Sequence, residues 1–152
     1  QNKNNSKKEE EEETSLSSNI LDATIKAANN KKDSRHIIAC SDLGTAYACG
    51  SYGLVKDIKL AEKYLMIGSD GADVVAQRNL GLLYIEINKP ELAVNHLKLA
   101  ADQGDEQASV KLVELLEESE RVAKEAKDKL EFLASQGDQR AIQMLKDFNN
   151  NN

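Results

Sequence analysis

The chain has 152 residues, with 26 acidic and 20 basic side chains and a formal net charge of −6. That length suits one domain burying roughly 70% of its unfolded surface, and the acidic balance excludes the electrostatic footprint of a nucleic-acid binder. One Pro, eight Gly, no Trp and 4% aromatics argue against a β-sandwich, whose strands and turns draw on those residue types.

Residues 1–15, QNKNNSKKEEEEETS, hold no apolar side chain. Such a run cannot bury enough surface to offset its ordering entropy, so it is predicted to be a disordered charged leader before a helical domain over 16–148. It reads as a solvated spacer. The start at Gln1 reads as that of a fragment, so the lack of a signal peptide says little about compartment. A leading helix is predicted over about 17–29, with Ile20, Leu21, Ile25 and Ala28 inward.

From residue 37 onward the sequence repeats itself. Ala39-Cys-Ser-Asp-Leu43-Gly44-Thr-Ala-Tyr47 opens the first unit and Ala76-Gln-Arg-Asn-Leu80-Gly81-Leu-Leu-Tyr84 the second. Ala108-Ser-Val-Lys-Leu112-Val113-Glu-Leu-Leu116 opens the third, and Ala141-Ile-Gln-Met-Leu145 begins a fourth. The Ala-to-Ala steps are 37, 32 and 33 residues. Each opening leads to a second stretch: Ala61-Glu-Lys-Tyr64-Leu65, then Ala93-Val-Asn-His96-Leu97-Lys-Leu-Ala100-Ala101, then Ala126-Lys-Asp-Lys129-Leu130-Glu-Phe-Leu133-Ala134. Gly71, Gly104 and Gly137 follow these stretches as left-handed C-caps, and Asp105 and Asp138 cap the next helix.

Ala, Leu and Tyr at i, i+4 and i+8 share one helix face, while the small residues let two helices approach closely. A single helix pair leaves its apolar stripe open, so neighbours stack. The prediction is an all-α protein, a right-handed α-solenoid of antiparallel helix pairs. Its helices fall at about 34–49, 57–69, 73–87, 90–102, 105–117, 119–135 and 138–148, with Pro90 in the first turn of its helix. The repeats span about 37–72, 73–104 and 105–137, followed by the final helix at 138–148 and a disordered Asn tail at 149–152.

No chemistry-bearing constellation stands out. Cys40 and Cys49, on one helix, lie roughly 13 Å apart, beyond the about 7 Å that a disulfide allows, and read as small buried thiols of a reducing compartment. His36 and His96 lack metal-ligand spacing with them. Gly50-Ser51-Tyr52-Gly53 lacks the Gly-Lys-Ser/Thr ending of a phosphate loop. Paired carboxylates such as Glu117 and Glu118 fall on a solvated face. No catalytic residue, metal or cofactor is expected.

The pattern resembles the Sel-one-like repeat, a variant of the tetratricopeptide repeat written A-x-x-x-L-G-x-x-Y-x-x-G, a Gly-containing loop, D-x-x-x-A, then an Ala pair and Gly. The first unit matches through Ala39, Leu43, Gly44, Tyr47, Gly50, Gly53, Val55, Asp57 and Ala61. The second keeps Ala76, Leu80, Gly81, Tyr84, Ala93, Ala100, Ala101 and Gly104 without the Gly loop. The third and fourth keep Ala108, Leu112, Ala126, Gly137, Ala141 and Leu145, with Val113 and Leu116 where the family has Gly and Tyr. Tyr64 matches the family's second-helix aromatic, whereas His96 and Lys129 depart from it. His96 in that slot reads as a partly buried, hydrogen-bonded ring.

The resemblance implies a binding scaffold. In such solenoids the first helix of each pair lines the concave surface, here through Ser41 and Thr45, then Arg78, Leu82 and Glu86, then Val110, Glu114 and Glu117. Charge drifts from neutral to acidic along that line, with Arg78 the one cation, so a basic or amphipathic helical segment with an acidic group near Arg78 would complement it. The expected role is a non-enzymatic, cytoplasmic adaptor for a protein or peptide partner, with no nucleic acid and no membrane insertion. The alternative is a regulatory or targeting domain of a larger signalling, ubiquitin-ligase or protein-degradation protein. A small enzyme would need a polar cluster that the sequence lacks. Self-association is a further expectation, through end helices whose apolar faces carry Leu16, Ile20, Ile142 and Phe148.

Overall fold

A computed structural model of the chain describes residues 2–150, without the side chains of 2–6, 8, 9, 11, 12 and 16. The Leu16 side chain and the last two Asn of the tail therefore lie outside the described residues. Seven α-helices and no strand occur among them: α1 (Asn2–Ala28), α2 (His36–Cys49), α3 (Ile58–Asp70), α4 (Val74–Glu86), α5 (Pro90–Asp102), α6 (Glu106–Ser135) and α7 (Gln139–Asn150). The chain divides into two compact units, Gln1–Lys111 and Leu112–Asn152.

Local chemistry sets the helix ends. Asp57, Asp73 and Asp138 each accept a hydrogen bond from the backbone N–H three residues on, at 2.9, 2.8 and 3.0 Å. Asp105 does the same for Ala108 at 2.8 Å. These are side-chain N-caps satisfying donors that the first helical turn leaves open. Gly50 closes α2 in the left-handed region at φ 69°. Between α4 and α5 the same kind of turn is made by Asn88 at φ 57°, since Asn tolerates that backbone better than other side chains. Gly71 departs from the expected left-handed cap: its φ is −78° and Ala72 takes φ 61° instead. Space is what Gly71 supplies, because a Cβ there would stand 2.7 Å from Ile37.

In the first unit, successive helices from α1 to α5 pack on their neighbours, and α2 also touches α4. Ala39, Leu43, Ala61, Leu65, Ala76, Leu80, Tyr84, Ala93, Leu97, Ala100 and Ala108 are buried, while Tyr47 and Ala101 are half-buried. On α1, Ala27 and Ala28 are buried and Leu21 and Ile25 pack beside them, whereas Ile20 is exposed. Cys40 is buried and Cys49 exposed, both as free thiols, so only one of them fits the expectation of two buried thiols.

Two glycines fix the helix spacing. A Cβ on Gly44 would lie 2.7 Å from Leu65 Cγ and 2.7 Å from its backbone nitrogen. A Cβ on Gly81 would lie 2.6 Å from Leu97 Cγ. Each glycine thus admits one leucine of the following helix against bare backbone. Above these contacts Tyr47 stacks on Tyr64 with ring centroids 6.0 Å apart. Tyr84 and His96 make the corresponding pair at 5.5 Å.

Two elements differ from the sequence expectation. The structure carries α1 back to Asn2, where a disordered leader and a helix from about 17 were expected. Glu and Lys are strong helix formers without any apolar partner, and the described leader side chains Lys7, Glu10, Glu13, Thr14 and Ser15 are exposed. The helices expected at 105–117 and 119–135 form the single 30-residue α6. Its middle, Glu117-Glu-Ser-Glu-Arg-Val-Ala123, holds neither Gly nor Pro, and Arg121 pairs with both Glu118 and Glu125 along the helix, a spacing that favours continuation. Ala126, expected at a packed position, is exposed on this helix, and Leu112 and Leu145 are half-buried. In the second unit Ala141 is the one buried residue among those described.

Candidate functional site

Five of the eight predicted partner-contacting residues converge in the first unit. A hollow of about 390 Å³ is lined by Arg78, Leu82, Glu106, Gln107, Val110 and Lys111. A smaller one of about 160 Å³ is lined by Thr45, Ala48, Cys49, Asn79, Leu82, Leu83 and Glu86. The third, about 370 Å³, takes in Ile20, Leu21, Thr24, Asp42, Leu43, Thr45, Ala46, Ser51, Tyr52 and Val75. Thr45 belongs to two of these hollows and Leu82 to two. Together they make one furrowed face running from α1 across α2 and α4 to the first two turns of α6.

Helical spacing builds this face. On α4, Arg78, Leu82 and Glu86 lie four apart, one turn above another on one side. On α2, Thr45 holds that side, its hydroxyl donating to Ser41 O at 2.8 Å and accepting from Asn79 Nδ2 at 2.8 Å. Apolar groups stand open along it: Val110 is 57% exposed, Ile20 47%, Val75 40% and Leu82 36%.

Ser41 does not belong to the face. It is 1% exposed, donates to Ile37 O at 3.0 Å and presses on Gly68, whose absent Cβ would stand 2.3 Å from Ser41 Oγ. Gly68 is what draws the chain in so far, a close approach that spacing counted from Leu43 does not reveal. Glu114 and Glu117 belong to the second unit and are exposed.

The charges also differ from a simple drift. Arg78 is bound by Asp105, whose other carboxylate oxygen caps α6, so this cation is already answered within the chain. Glu86 is bridged by Lys56. Asp42, in the hollow beside α1, has no hydrogen-bonding or cationic partner among the described residues. Partial burial and the nearby Asp73 charge both push its carboxyl above the usual range.

Other polar groups behind the face serve packing. Tyr84 donates to Glu62 Oε1 at 2.8 Å, and burial followed by that carboxylate pushes its phenol up to about 12. His96 Nδ1 lies 3.3 Å from Ser69 Oγ, and burial holds its imidazole below the ordinary range against a weaker opposing pull from Asp70. Buried Gln77 accepts from Gln103 Nε2 at 2.7 Å. Among the described residues no three His, Cys, Asp or Glu side chains converge to hold a metal ion, and no helix is long and apolar enough to cross a membrane.

Sequence reasoning missed Asp42, Tyr52, Val75 and Asn79. Asn79 is three residues before Leu82 and Val75 three before Arg78, so the helical period that selected Arg78 and Leu82 held a usable signal for both. Tyr52 comes from a loop, at φ 56°, and no periodicity reaches it. No family model, curated protein or solved structure matches the chain.

Proposed function

We propose that this chain is a non-enzymatic interaction module of the Sel-one-like, tetratricopeptide-like kind. In this reading α2–α3 and α4–α5 are antiparallel pairs of a short right-handed solenoid, and the chain acts as an adaptor holding a peptide or partner segment on its concave, first-helix face. The single observation that carries the reading is the run of three adjoining hollows joined through Thr45 and Leu82, with Val110, Ile20 and Val75 open to solvent. A rigid apolar furrow of this kind receives an amphipathic helix or extended segment. Two free thiols suit a reducing compartment such as the cytoplasm. Quantitative affinity capture with the full chain, beside a Leu82→Glu/Val110→Glu variant of unchanged helical circular dichroism, tests the reading. Partners retained by the wild type and lost by the variant support it, and equal recovery by both overturns it.

A second reading, self-association, is favoured by the second unit. That unit buries Ala141 alone among its described residues while Leu116, Val122 and Phe132 stand exposed. Light scattering over a concentration series tests it. A dimer abolished by Val122→Glu supports it, and a monomer at every concentration excludes it.

A further inference from the structure

The two ends of the furrowed face differ in charge. The hollow beside α1 is lined by Asp42 with no Lys, Arg or His, and Asp42 has no cationic or hydrogen-bonding partner among the described residues. Asp73 adds a second negative charge nearby, its own oxygen already accepting from Ala76 N at 2.8 Å. The same hollow is lined by apolar Ile20 and Val75 and by Thr24, Ser51 and Tyr52, with the Thr24 hydroxyl donating to Ile20 O at 2.9 Å. At the far end, the hollow holding Leu82 and Val110 has charges of both signs, Lys111, Glu106 and an Arg78 answered by Asp105.

Asp42 is exposed, no cation of the chain lines its hollow, and a charge-assisted hydrogen bond from a partner's Lys or Arg is the complement such a carboxylate accepts. We propose that the occupant of this face is an amphipathic peptide helix carrying a Lys or Arg that seats against Asp42, with apolar side chains farther along it laid on Leu82 and Val110. The unlike ends fix which end of the face takes the basic side chain. The inference rests on the interaction-module reading and specifies the partner's chemistry within it. It also replaces the expected acidic group near Arg78, since Asp105 already fills that role.

Selection of a displayed library of random 16-residue peptides against the full chain tests the proposal. Enriched sequences are expected to carry a Lys or Arg and, at helical spacing to one side of it, Leu, Ile, Phe or Met. A synthetic peptide of the enriched sequence should bind Asp42→Asn about tenfold more weakly, while Glu91→Gln, an exposed acid on α5, leaves affinity unchanged. Equal losses in the two variants would assign the effect to overall charge and overturn the proposal. Enrichment without a basic residue, abolished by Leu82→Glu/Val110→Glu but indifferent to Asp42→Asn, would overturn it and leave the interaction-module reading standing. No enrichment at all would overturn both.

Discussion

Residues 37–104 and 105–137 share an Ala-led spacing, yet the first stretch folds into four helices and the second runs through one helix of 30 residues. Two features separate them. In the first stretch the helices are interrupted at Gly50, at Gly71 followed by a left-handed Ala72, and at Asn88 with Pro90, and Gly, Asn and Pro suit a tight turn. At the corresponding place α6 has Glu, Ser and Arg, joined by charge pairs along the helix. The second feature is the slot for a leucine. Gly44 and Gly81 receive Leu65 and Leu97 against bare backbone, whereas Val113 stands where those glycines would be and is 53% exposed. A packed helix pair therefore needs both a break that lets the chain return and a gap that lets it settle.

The largest expected effect contrasts one leucine from each region. Leu80→Ala should lower stability by about 3 kcal/mol in denaturant unfolding, the ordinary cost of emptying a buried leucine site. Leu133→Ala, on half-buried ground, should cost less than about 1 kcal/mol. Similar losses would erase the distinction between the regions.

Exchanging the slot residues sharpens the same point. Gly44→Val should destabilise by about 2 kcal/mol or more, because Leu65 and its backbone nitrogen cannot both withdraw. Val113→Gly opens a slot with no leucine to fill it, and should cost only the helix-propensity difference, about 0.5 kcal/mol. A stabilising Val113→Gly would mean that α6 is poised to pack as α2 and α4 do.

A smaller, pH-dependent effect belongs to His96, the ring beside Tyr84. Burial lowers the His96 pKa below its unfolded value of about 6.5, so the unfolded chain binds the extra proton as pH falls. The stabilising contribution is complete above about pH 6.5 and is lost as pH drops through the folded value. Thermal melts from pH 7.5 to 5 should show a decline that His96→Gln flattens. An unchanged slope in His96→Gln would remove His96 from the account.

The smallest effect concerns the middle of α6. Arg121→Ala removes exposed pairs to Glu118 and Glu125, and such surface pairs carry little stability. Its unfolding midpoint should match the wild type within the scatter of repeated melts. A large shift would make this charge cluster, rather than the missing turn, the reason why α6 is unbroken.

Much of the first unit was legible in its residues. Alanine spacing, aspartate caps and Pro90 report on the nearest few residues, and they located α2 to α5 closely. The break at about 118 was expected from the spacing of neighbouring repeats, a periodicity argument that carries no information about whether a turn residue is present. Reading Glu117 to Ala123 for turn chemistry would have kept α6 whole. The candidate face was legible where it follows helical period, at Thr45, Arg78, Leu82, Glu86 and Val110. Ser41 failed because Gly68 on another helix brings a neighbour onto it. Arg78 was read as an open cation because its partner Asp105 was assigned only a capping role, and it performs both.

Hydrogen exchange of the full chain followed by mass spectrometry tests most directly whether the two glycine-keyed helix pairs form the stable frame behind the candidate face. The account predicts the slowest exchange at the amides around Leu43, Leu65, Leu80 and Leu97, with residues 116–128 exchanging at least about tenfold faster. Equal protection of α4 and the middle of α6 would contradict it.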